Sequence, residues 1–402
     1  MKLSEELKWR GFAAETTVKD PAELDTREVK KFYLGADPSA DSLTLGNLAA
    51  LMMCACFVRH GYQPYLLVGG ATGQIGDPKD NGERDLKPLE EIEHNKKIIA
   101  AQMKQVVDTD NLVMVDNMEW FANMGYMEFL RNIGKQFSMT QLLDRQFVQA
   151  RIGEGGSGIS YAEFSYTLMQ GYDYLCLYRK YGVDLQLCGA DQYGNCTSGI
   201  HLIRRLENAQ ADVWSTPLIM DPVSGRKFGK SEGNAIWLSS DKTSIFDFYQ
   251  FWLNQADQAV ENLLKIYTIY PVEVVENLMK KQAEHPEERP AQKALAIGAT
   301  EVVHGKDAAS AVQTLSEYLF SGRSQEVLEH QGLADLLPKV TKGTPLVDAL
   351  VQTGLAESKT AARKFISGNA VSVNDTKITD IDAVLDKPSI LKKGKNKFAV
   401  IV

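Results

Sequence analysis

Short apolar runs alternate with longer helical patterns along the first half of the chain. Strands are predicted at residues 30–35 (KKFYLG), 64–70 (PYLLVGG), 112–116 (LVMVD) and 183–189 (VDLQLCG). Between the first two, residues 46–61 are apolar almost all round and end at Gly61, which predicts a buried helix. This alternation predicts a doubly wound parallel sheet that binds ligands at the carboxyl ends of its strands.

The pattern becomes helical after about residue 240. Ser244 and Asp247 predict a helix start ahead of aromatic residues at helical spacing, and helical stretches continue to residue 319. Two short helices, a turn at Gly368 and Asn369 and an alternating strand are predicted near the end. The fold class is therefore α/β: a Rossmann-like doubly wound parallel sheet, followed by an α-helical domain and a small α+β domain. The predicted domains are residues 1–235, with a helical insertion at about 117–155, then 236–325, a linker at 326–343, and 344–402.

Composition narrows the function classes. Of the 402 residues, 44% are hydrophobic and 24% are charged, as in ordinary globular proteins, and no apolar run reaches the length of a membrane span. The five cysteines include no C-x-x-C pair, which argues against a disulfide frame or a zinc knuckle and favours a reducing cytoplasm. No resident metal is predicted.

Charge is unevenly distributed. The net charge is −8, but residues 341–402 carry ten Lys or Arg against six Asp or Glu, a local charge of +4. A basic module on an acidic body is typical of a polyanion-binding appendage, although a solvated lysine-rich tail has the same composition.

The stretch GADPSADSLTLGNLAAL, residues 35–51, joins the end of a strand to the start of a helix. Free backbone N–H groups at such a helix start, with the Ser39 and Thr44 hydroxyls nearby, suit phosphate oxygens. Gly46 has no Cβ where a base or ribose would lie on the backbone.

A second stretch, SGRKFGKSEGN at residues 224–234, is cationic. Lys227 and Lys230 could close over a triphosphate and neutralise the charge that develops as pyrophosphate leaves. The spacing is not that of a Walker A loop, and a surface hairpin with solubilising lysines would have the same letters.

Together the two stretches resemble the signatures of class I aminoacyl-tRNA synthetases, H-I-G-H and K-M-S-K-S. Here they stand as Thr44-Leu45-Gly46-Asn47 and Lys227-Phe228-Gly229-Lys230-Ser231. Segments such as LVGGATGQIGDP, EFSYTLMQGYDY, LQLCGADQYGNCTSGI and AQKALAIGATEVVHG resemble the bacterial tyrosyl-tRNA synthetases, and the resemblance covers nearly the whole chain. It implies a Rossmann-like catalytic domain, an α-helical anticodon-binding domain and a small C-terminal RNA-binding domain.

The resemblance also implies roles for individual residues. Tyr33 and Asp173 match the pair that hydrogen-bonds the phenolic hydroxyl of tyrosine, a site that rejects phenylalanine because its polar groups would be left unpaired; tyrosyl-tRNA synthetases are the known example. The groups matching those that hold the tyrosine ammonium are Asp77, Tyr166 and Gln170, and Gln186 points to the same substrate. The groups matching the ATP-binding region are Asp37, Ser39, Gly46, Asp191, Gln192 and Lys230, and of these Asp37 and Ser39 match residues near the amino group and the phosphates. Those matching the catalytic signatures are Lys227, Lys230, Ser231, Thr44 and Asn47.

Two departures from the family pattern bear on activity. Thr44 and Asn47 replace the two signature histidines; asparagine keeps an N–H donor, but the threonine hydroxyl is shorter and is expected to reach a phosphate oxygen less well. The loop DPKDNGERDL is one residue shorter than usual, which leaves open whether Lys79 or Arg84 meets pyrophosphate or the tRNA end.

The function implied is a cytoplasmic tyrosine–tRNA ligase that uses L-tyrosine, ATP with Mg²⁺ as a substrate complex, and tRNA(Tyr). The resemblance also implies a homodimer with FLRNIGKQFSMTQLL, residues 129–143, as its interface region. Two alternatives remain: an impaired paralogue that acts as an RNA-binding protein, and a ligase for tryptophan. Asp173 argues against tryptophan, because an indole has no hydroxyl to pair with it.

Overall fold

The computed structural model describes residues 1–78, 82, 85–143, 146–153, 155–220, 225, 230–231, 234–330 and 332–402. Its helices are α1 Leu3–Arg10, α2 Glu23–Thr26, α3 Leu45–Arg59, α4 Thr72–Ile75, α5 Leu89–Val106, α6 Met118–Phe121, α7 Tyr126–Asn132, α8 Met139–Leu143, α9 Gln146–Ile152, α10 Tyr161–Tyr181, α11 Tyr193–Glu207, α12 Ile245–Leu253, α13 Asp257–Tyr267, α14 Val272–Glu284, α15 Pro290–His304, α16 Lys306–Phe320, α17 Leu346–Gln352 and α18 Lys359–Ser367. Its strands are β1 Lys31–Ala36, β2 Gln63–Val68, β3 Val113–Asp116, β4 Leu185–Gly189, β5 Asp212–Thr216, β6 Lys230–Ser231, β7 Asn234–Ala235, β8 Lys339–Val340, β9 Thr344–Pro345, β10 Val371–Val373, β11 Thr376–Lys377, β12 Val384–Leu385, β13 Ser389–Lys393 and β14 Lys397–Ile401.

The main sheet confirms the predicted α/β architecture. Its order is β3-β2-β1-β4-β5, and every pairing is parallel. The four predicted strands form β1 to β4, whereas β5 was not predicted, because its sequence DVWST carries a short and partly polar pattern. Helix α3 is buried along most of its length, as its apolar sequence predicts, and Gly61 beyond it has a positive φ of 87°.

Close backbone approach shapes the edge of this sheet above β1 and β2. A Cβ on Gly69 would lie 2.1 Å from Asp37 Oδ1, and one on Gly73 would lie 2.7 Å from Pro38 Cδ. The glycines after β2 therefore let that loop press against the Asp37-Pro38 turn after β1.

The chain divides into two compact units, and their boundaries differ from the predicted domains. One unit contains residues 1–239 and 256–279, and the other contains residues 240–255 and 280–402. Helix α13 joins the first unit, where Tyr267 donates a hydrogen bond to the Leu45 carbonyl over 3.2 Å. The three-domain division by function stays a prediction.

The second unit combines helices α12, α15 and α16 with the small C-terminal domain. That domain has a sheet of order β11-β10-β13-β14-β8 and a core that includes Leu350, Ile366 and Leu391. The predicted linker, 326–343, is folded where it is described: Val327 and Val340 are buried, and β8 pairs with β14. Among the described residues no helix is both long and apolar enough to cross a membrane.

Candidate active site

A cavity of about 760 Å³ lies at the carboxyl edge of the five-stranded sheet, between the start of α3 and helix α10. Parallel strands place their ligands at this edge, as the sequence predicts. The predicted site residues that line the cavity are Tyr33, Asp37, Ser39, Thr44, Gly46, Asn47, Asp77, Tyr166, Gln170, Asp173, Gln186, Asp191 and Gln192. Lys227, Lys79 and Arg84 lie outside the described residues, and of Lys230 and Ser231 only the backbone is described, in β6.

At one part of the cavity a tyrosine hydroxyl has no partner. Tyr33, on β1, is 1% exposed, and its hydroxyl forms no hydrogen bond with any described residue. Burial raises the pKa of Tyr33 well above its usual range, and the negative charge of Asp173 adds to the effect. The ring packs against Tyr174 with centroids 5.1 Å apart, so the hydroxyl is held in place without being satisfied.

Asp173, on α10, is held from both sides. Trp120 Nε1 donates to Asp173 Oδ1 over 2.9 Å, and Asn117 Nδ2 donates to Asp173 Oδ2 over 3.1 Å. Burial raises the pKa of Asp173 well above its usual range, although these two hydrogen bonds favour the charged form. The carboxylate retains lone pairs for a further donor.

Asn117 and Trp120 were missed in the sequence. Asn117 is fully buried and connects three groups, since it also donates to Thr72 Oγ1 over 2.9 Å and accepts from the Ala71 N–H over 2.7 Å. A polar residue directly after the predicted strand 112–116 was the available signal, because it falls at the ligand-binding edge of the sheet.

Asp37, which was matched to residues near the amino group and the phosphates, contacts Tyr166 directly. Tyr166 donates its hydroxyl to Asp37 Oδ2 over 2.7 Å, and Thr72 donates to Asp37 Oδ1 over 2.7 Å. Burial, followed by the charges of Asp37 and Asp77, raises the pKa of Tyr166 well above its usual range. Asp37 therefore belongs to the same polar group as Tyr166.

Asp77 is the second carboxylate of this region. It accepts from Gln192 Nε2 over 2.9 Å and from Asn195 Nδ2 over 3.1 Å. Gln170 Nε2 lies 3.6 Å from Cys196 Sγ, while its carbonyl oxygen is buried without a partner. The carboxylates of Asp37 and Asp77, together with the unpartnered carbonyl oxygen of Gln170, make an environment that favours a bound cation.

Four buried polar atoms of the cavity have no hydrogen-bond partner among the described residues. They are Tyr33 OH, Gln170 Oε1, Gln186 Oε1 and Thr216 Oγ1. An unpartnered buried polar atom is costly in a folded protein, so their collection in one cavity indicates a site shaped for a polar ligand. Thr216, at the end of the unpredicted β5, was not identified in the sequence.

The start of α3 is tied to the segment that follows the lysine stretch. The Leu45 N–H donates to the Ile236 carbonyl over 3.3 Å, and the Leu238 N–H donates to the Leu43 carbonyl over 2.9 Å. Thr44 and Trp237 form an antiparallel bridge between these bonds. Backbone hydrogen bonds thus join the start of α3 to residues 236–238, shortly after the second signature stretch.

Comparison with known proteins decides the family. The model of the class I tRNA synthetases (W and Y) matches residues 25–321, and the model of the SYY-like C-terminal domain of tyrosine–tRNA ligases matches residues 330–401. The chain belongs to the class I tRNA synthetases.

Full-length relatives of this synthetase are named tyrosine–tRNA ligases. The protein of Streptococcus gordonii is 38% identical over 420 aligned residues, and that of Phytoplasma australiense is 38% identical over 419; each alignment covers 100% of both chains. A C-terminally truncated mitochondrial tyrosyl-tRNA synthetase of Aspergillus nidulans matches with a TM-score of 0.72 at 29% identity, covering 79% of this chain and 94% of that one. A tryptophanyl-tRNA synthetase of Encephalitozoon cuniculi has the same fold, with a TM-score of 0.57 at 11% identity, covering 77% and 89%.

The described lining of this class I synthetase's cavity is acidic. It includes the carboxylates of Asp37, Asp77, Asp173 and Asp191, whereas Lys87, which is paired with Glu91, is its one basic side chain within the described ranges. The groups of potential metal ligands found in the described part of the chain, Glu6-Cys56-His60 and His285-Glu287-Glu288, include no residue of this lining. Positive charge for a nucleotide must therefore come largely from outside this lining or with the nucleotide itself.

Proposed function

We propose that this class I synthetase is a tyrosine–tRNA ligase, which activates L-tyrosine with ATP and transfers it to the 3′ end of tRNA(Tyr). The observation that carries the proposal is the unpartnered Tyr33 hydroxyl in the same cavity as the buried carboxylate of Asp173. A phenolic hydroxyl that donates to Asp173 and accepts from Tyr33 would satisfy both groups. Phenylalanine would leave the Tyr33 hydroxyl without a partner and would give Asp173 no further donor. Tryptophan has an indole N–H donor but no acceptor, so it would also leave the Tyr33 hydroxyl without a hydrogen bond.

The amino end of tyrosine is proposed to lie among Asp77, Tyr166 and Gln170. The unpartnered Gln170 carbonyl oxygen accepts from the ammonium group, and the negative charge of Asp77 balances its positive charge. Asp37 is included in this group because it accepts the Tyr166 hydroxyl, and Gln186 offers a second free carbonyl oxygen to the substrate.

The nucleotide is proposed to lie over the start of α3. Ser39 and the backbone at Gly46 are near the phosphates, and Asp191 and Gln192 are near the ribose. Lys227, Lys230 and Ser231 are proposed to close over the triphosphate, and Mg²⁺ arrives with ATP as part of the substrate. The acidic lining supports this, since the described residues supply little positive charge themselves.

The reaction needs no covalent protein intermediate. The tyrosine carboxylate attacks the α-phosphorus of ATP in line, and pyrophosphate leaves to give tyrosyl-adenylate. A ribose hydroxyl of the terminal tRNA nucleotide then attacks the activated carbonyl, and AMP leaves. The cavity contributes positioning of the two substrates and stabilisation of the charge on the departing pyrophosphate.

Pyrophosphate exchange tests the proposal. Exchange of labelled pyrophosphate into ATP should occur with tyrosine and not with phenylalanine or tryptophan. Exchange with tryptophan alone would assign the chain to tryptophan, whose ligases share the fold. No exchange with folded protein that still binds tRNA would identify an RNA-binding paralogue.

The tRNA partner and a homodimer are the remaining parts of the proposal. The local charge of +4 in residues 341–402 supports phosphate binding, so tRNA affinity should fall steeply as salt increases. Large apolar side chains are exposed on the helical insertion and just after it, at Tyr126, Met127, Met139, Ile152 and Tyr161. Exposed apolar surface of this kind is typical of an interface, and a second copy of the chain is the proposed partner.

Sedimentation tests the homodimer. Met127 is 74% exposed, so Met127→Glu should leave the monomer fold intact and shift wild-type dimer to monomer. Leu86→Glu is the matched control, because Leu86 is 76% exposed but lies outside the helical insertion. A wild-type monomer at micromolar concentration would contradict the homodimer. A cytoplasmic location stays a prediction.

A further inference from the structure

A buried hydroxyl lies behind the carboxylate that is proposed to balance the charge of the substrate ammonium group. Thr167, on α10, is 1% exposed, and its hydroxyl donates to Asn195 Oδ1 over 2.8 Å. Asn195, on α11, donates in turn from Nδ2 to Asp77 Oδ1 over 3.1 Å. Two hydrogen bonds therefore lead from the buried face of α10, through α11, to a carboxylate that lines the cavity.

The Asn195 amide has a preferred orientation. Its Nδ2 also lies 3.3 Å from Gln192 Oε1, so the NH2 group faces two oxygen atoms, one of Asp77 and one of Gln192. If the amide were turned over, its carbonyl oxygen would lie against both of these acceptors. The Thr167 hydroxyl favours the observed orientation, because it supplies a donor where the Asn195 carbonyl oxygen lies.

The carboxylate of Asp77 is held on both of its oxygens. Gln192 Nε2 donates to Oδ2 over 2.9 Å, while Asn195 donates to Oδ1. Donors on different oxygens fix the plane of a carboxylate. A carboxylate that is fixed before the ligand arrives loses little side-chain freedom on binding, so its contact with an ammonium group contributes more to affinity.

We propose that Thr167 is a positioning residue for the substrate ammonium group, and that it acts through Asn195 on Asp77. The inference rests on the proposed function, in which Asp77 balances the ammonium charge, and it adds two residues that have no role there. Neither Thr167 nor Asn195 is among the described residues that line the cavity, whereas Asp77 is. The effect of the Thr167 hydroxyl on binding is therefore indirect.

Binding of two tyrosine analogues, measured by calorimetry, tests the proposal. Tyramine keeps the ammonium group and lacks the carboxylate, whereas desaminotyrosine keeps the carboxylate and lacks the ammonium group. Thr167→Val removes the hydroxyl, so the Kd for tyramine should rise about fivefold, the value of one hydrogen bond, and the Kd for desaminotyrosine should stay within about twofold of wild type. Thr167→Ser restores the hydroxyl and should return the Kd for tyramine to within about twofold of wild type.

A double-mutant cycle and a control separate positioning from stability. Asn195→Ala removes a donor to Asp77 and should raise the Kd for tyramine at least as far as Thr167→Val does. The double variant should bind tyramine no more weakly than Asn195→Ala, because Thr167 would have no amide left to orient. Ser165→Ala is the matched control on α10: the Ser165 hydroxyl donates to the Tyr161 carbonyl over 2.8 Å, and both analogues should bind this variant as they bind wild type.

The outcomes are distinct. Equal weakening of both analogues by Thr167→Val would show a general packing role, and losses that multiply in the double variant would show that Thr167 acts independently of Asn195. Either result overturns the inference, as does an unchanged Kd for tyramine in Thr167→Val or a wild-type protein that binds tyrosine but not tyramine. Failure of the wild-type protein to bind tyrosine itself would overturn the proposed function instead.

Discussion

At the scale of single residues, some polar groups of the cavity have hydrogen-bond partners within the protein and others do not. Groups of the first kind contribute to the stability of the fold, and groups of the second kind are available to a ligand. Asp173 already has Asn117 and Trp120 as donors, whereas Tyr33 has no partner for its hydroxyl. A hydroxyl that gains nothing in the folded protein can still gain a hydrogen bond when ligand arrives. Its removal should therefore affect the two properties differently.

Tyr33→Phe should lower kcat/KM for tyrosine about tenfold, the value of one hydrogen bond, without lowering the melting temperature. Tyr174→Phe is the matched control: its hydroxyl donates to the Asp212 carbonyl over 2.7 Å, so its loss should reduce stability and leave selectivity over phenylalanine unchanged. Exchange kinetics with both amino acids, together with thermal melts, measure this. Equal effects of the two variants on selectivity would contradict the role of Tyr33.

Which site residues could be found from sequence also follows from their local contacts. The cavity residues that were predicted from the sequence lie in short motifs whose spacing can be recognised along the chain. Tyr166, Gln170 and Asp173, on successive turns of α10, are an example. Asn117 and Thr216 depend on which strand ends meet at the sheet edge, and the order β3-β2-β1-β4-β5 is not written in any local pattern.

At the scale of elements, α1 and the end of α3 are joined by a charge cluster around Glu6. Arg10 Nε donates to Glu6 Oε1 over 2.7 Å, Arg59 Nη2 donates to the same oxygen over 2.8 Å, and His60 Nε2 lies 2.7 Å from Oε2. Burial alone would raise the pKa of Glu6, but these partners lower it from 4.5 to about 2. Ionised Glu6 therefore stabilises the folded state above pH 4.5, and this contribution is lost as pH falls towards 2.

Glu6→Gln should lower the free energy of unfolding by about 2 kcal/mol at pH 7, allowing for screening at the partly exposed Arg59. The difference from wild type should narrow as pH falls from 4.5 towards 2, because wild-type Glu6 also becomes neutral. Urea unfolding across this pH range measures it. A pH-independent loss for Glu6→Gln would contradict the assignment.

At the scale of the whole molecule, the C-terminal domain is packed on the helices of its own unit. Phe398 makes edge contacts with Phe246 and Phe320, with ring centroids 5.9 and 5.4 Å apart, and Lys397 pairs with Asp247 over 2.8 Å. The segment before this domain, residues 326–343, was predicted to be a linker. Four of its apolar side chains are nevertheless buried, those of Val327, Leu333, Leu337 and Val340, and such burial depends on partners far along the chain.

Phe398→Ala should destabilise the second unit by about 3–5 kcal/mol, as expected for a buried phenylalanine. Pyrophosphate exchange should be retained, since the cavity lies in the first unit, while tRNA charging at low tRNA concentration should fall. Lys397→Ala is the control, because its exposed ion pair contributes at most about 1 kcal/mol. Equal loss of exchange and charging in Phe398→Ala would contradict this independence.

The positions of Trp237 and Trp120 bear on the intrinsic fluorescence of the protein. Trp237 sits beside the proposed nucleotide end of the cavity, and Trp120 donates its indole N–H to Asp173 at the tyrosine end. No tryptophan is among the described residues that line the cavity, but Trp120 contacts Asp173, and Trp237 pairs through its backbone with Thr44; both Asp173 and Thr44 line it. Unlabelled protein should report tyrosine and ATP separately by fluorescence, with Trp120→Phe and Trp237→Phe each silencing one of the two signals.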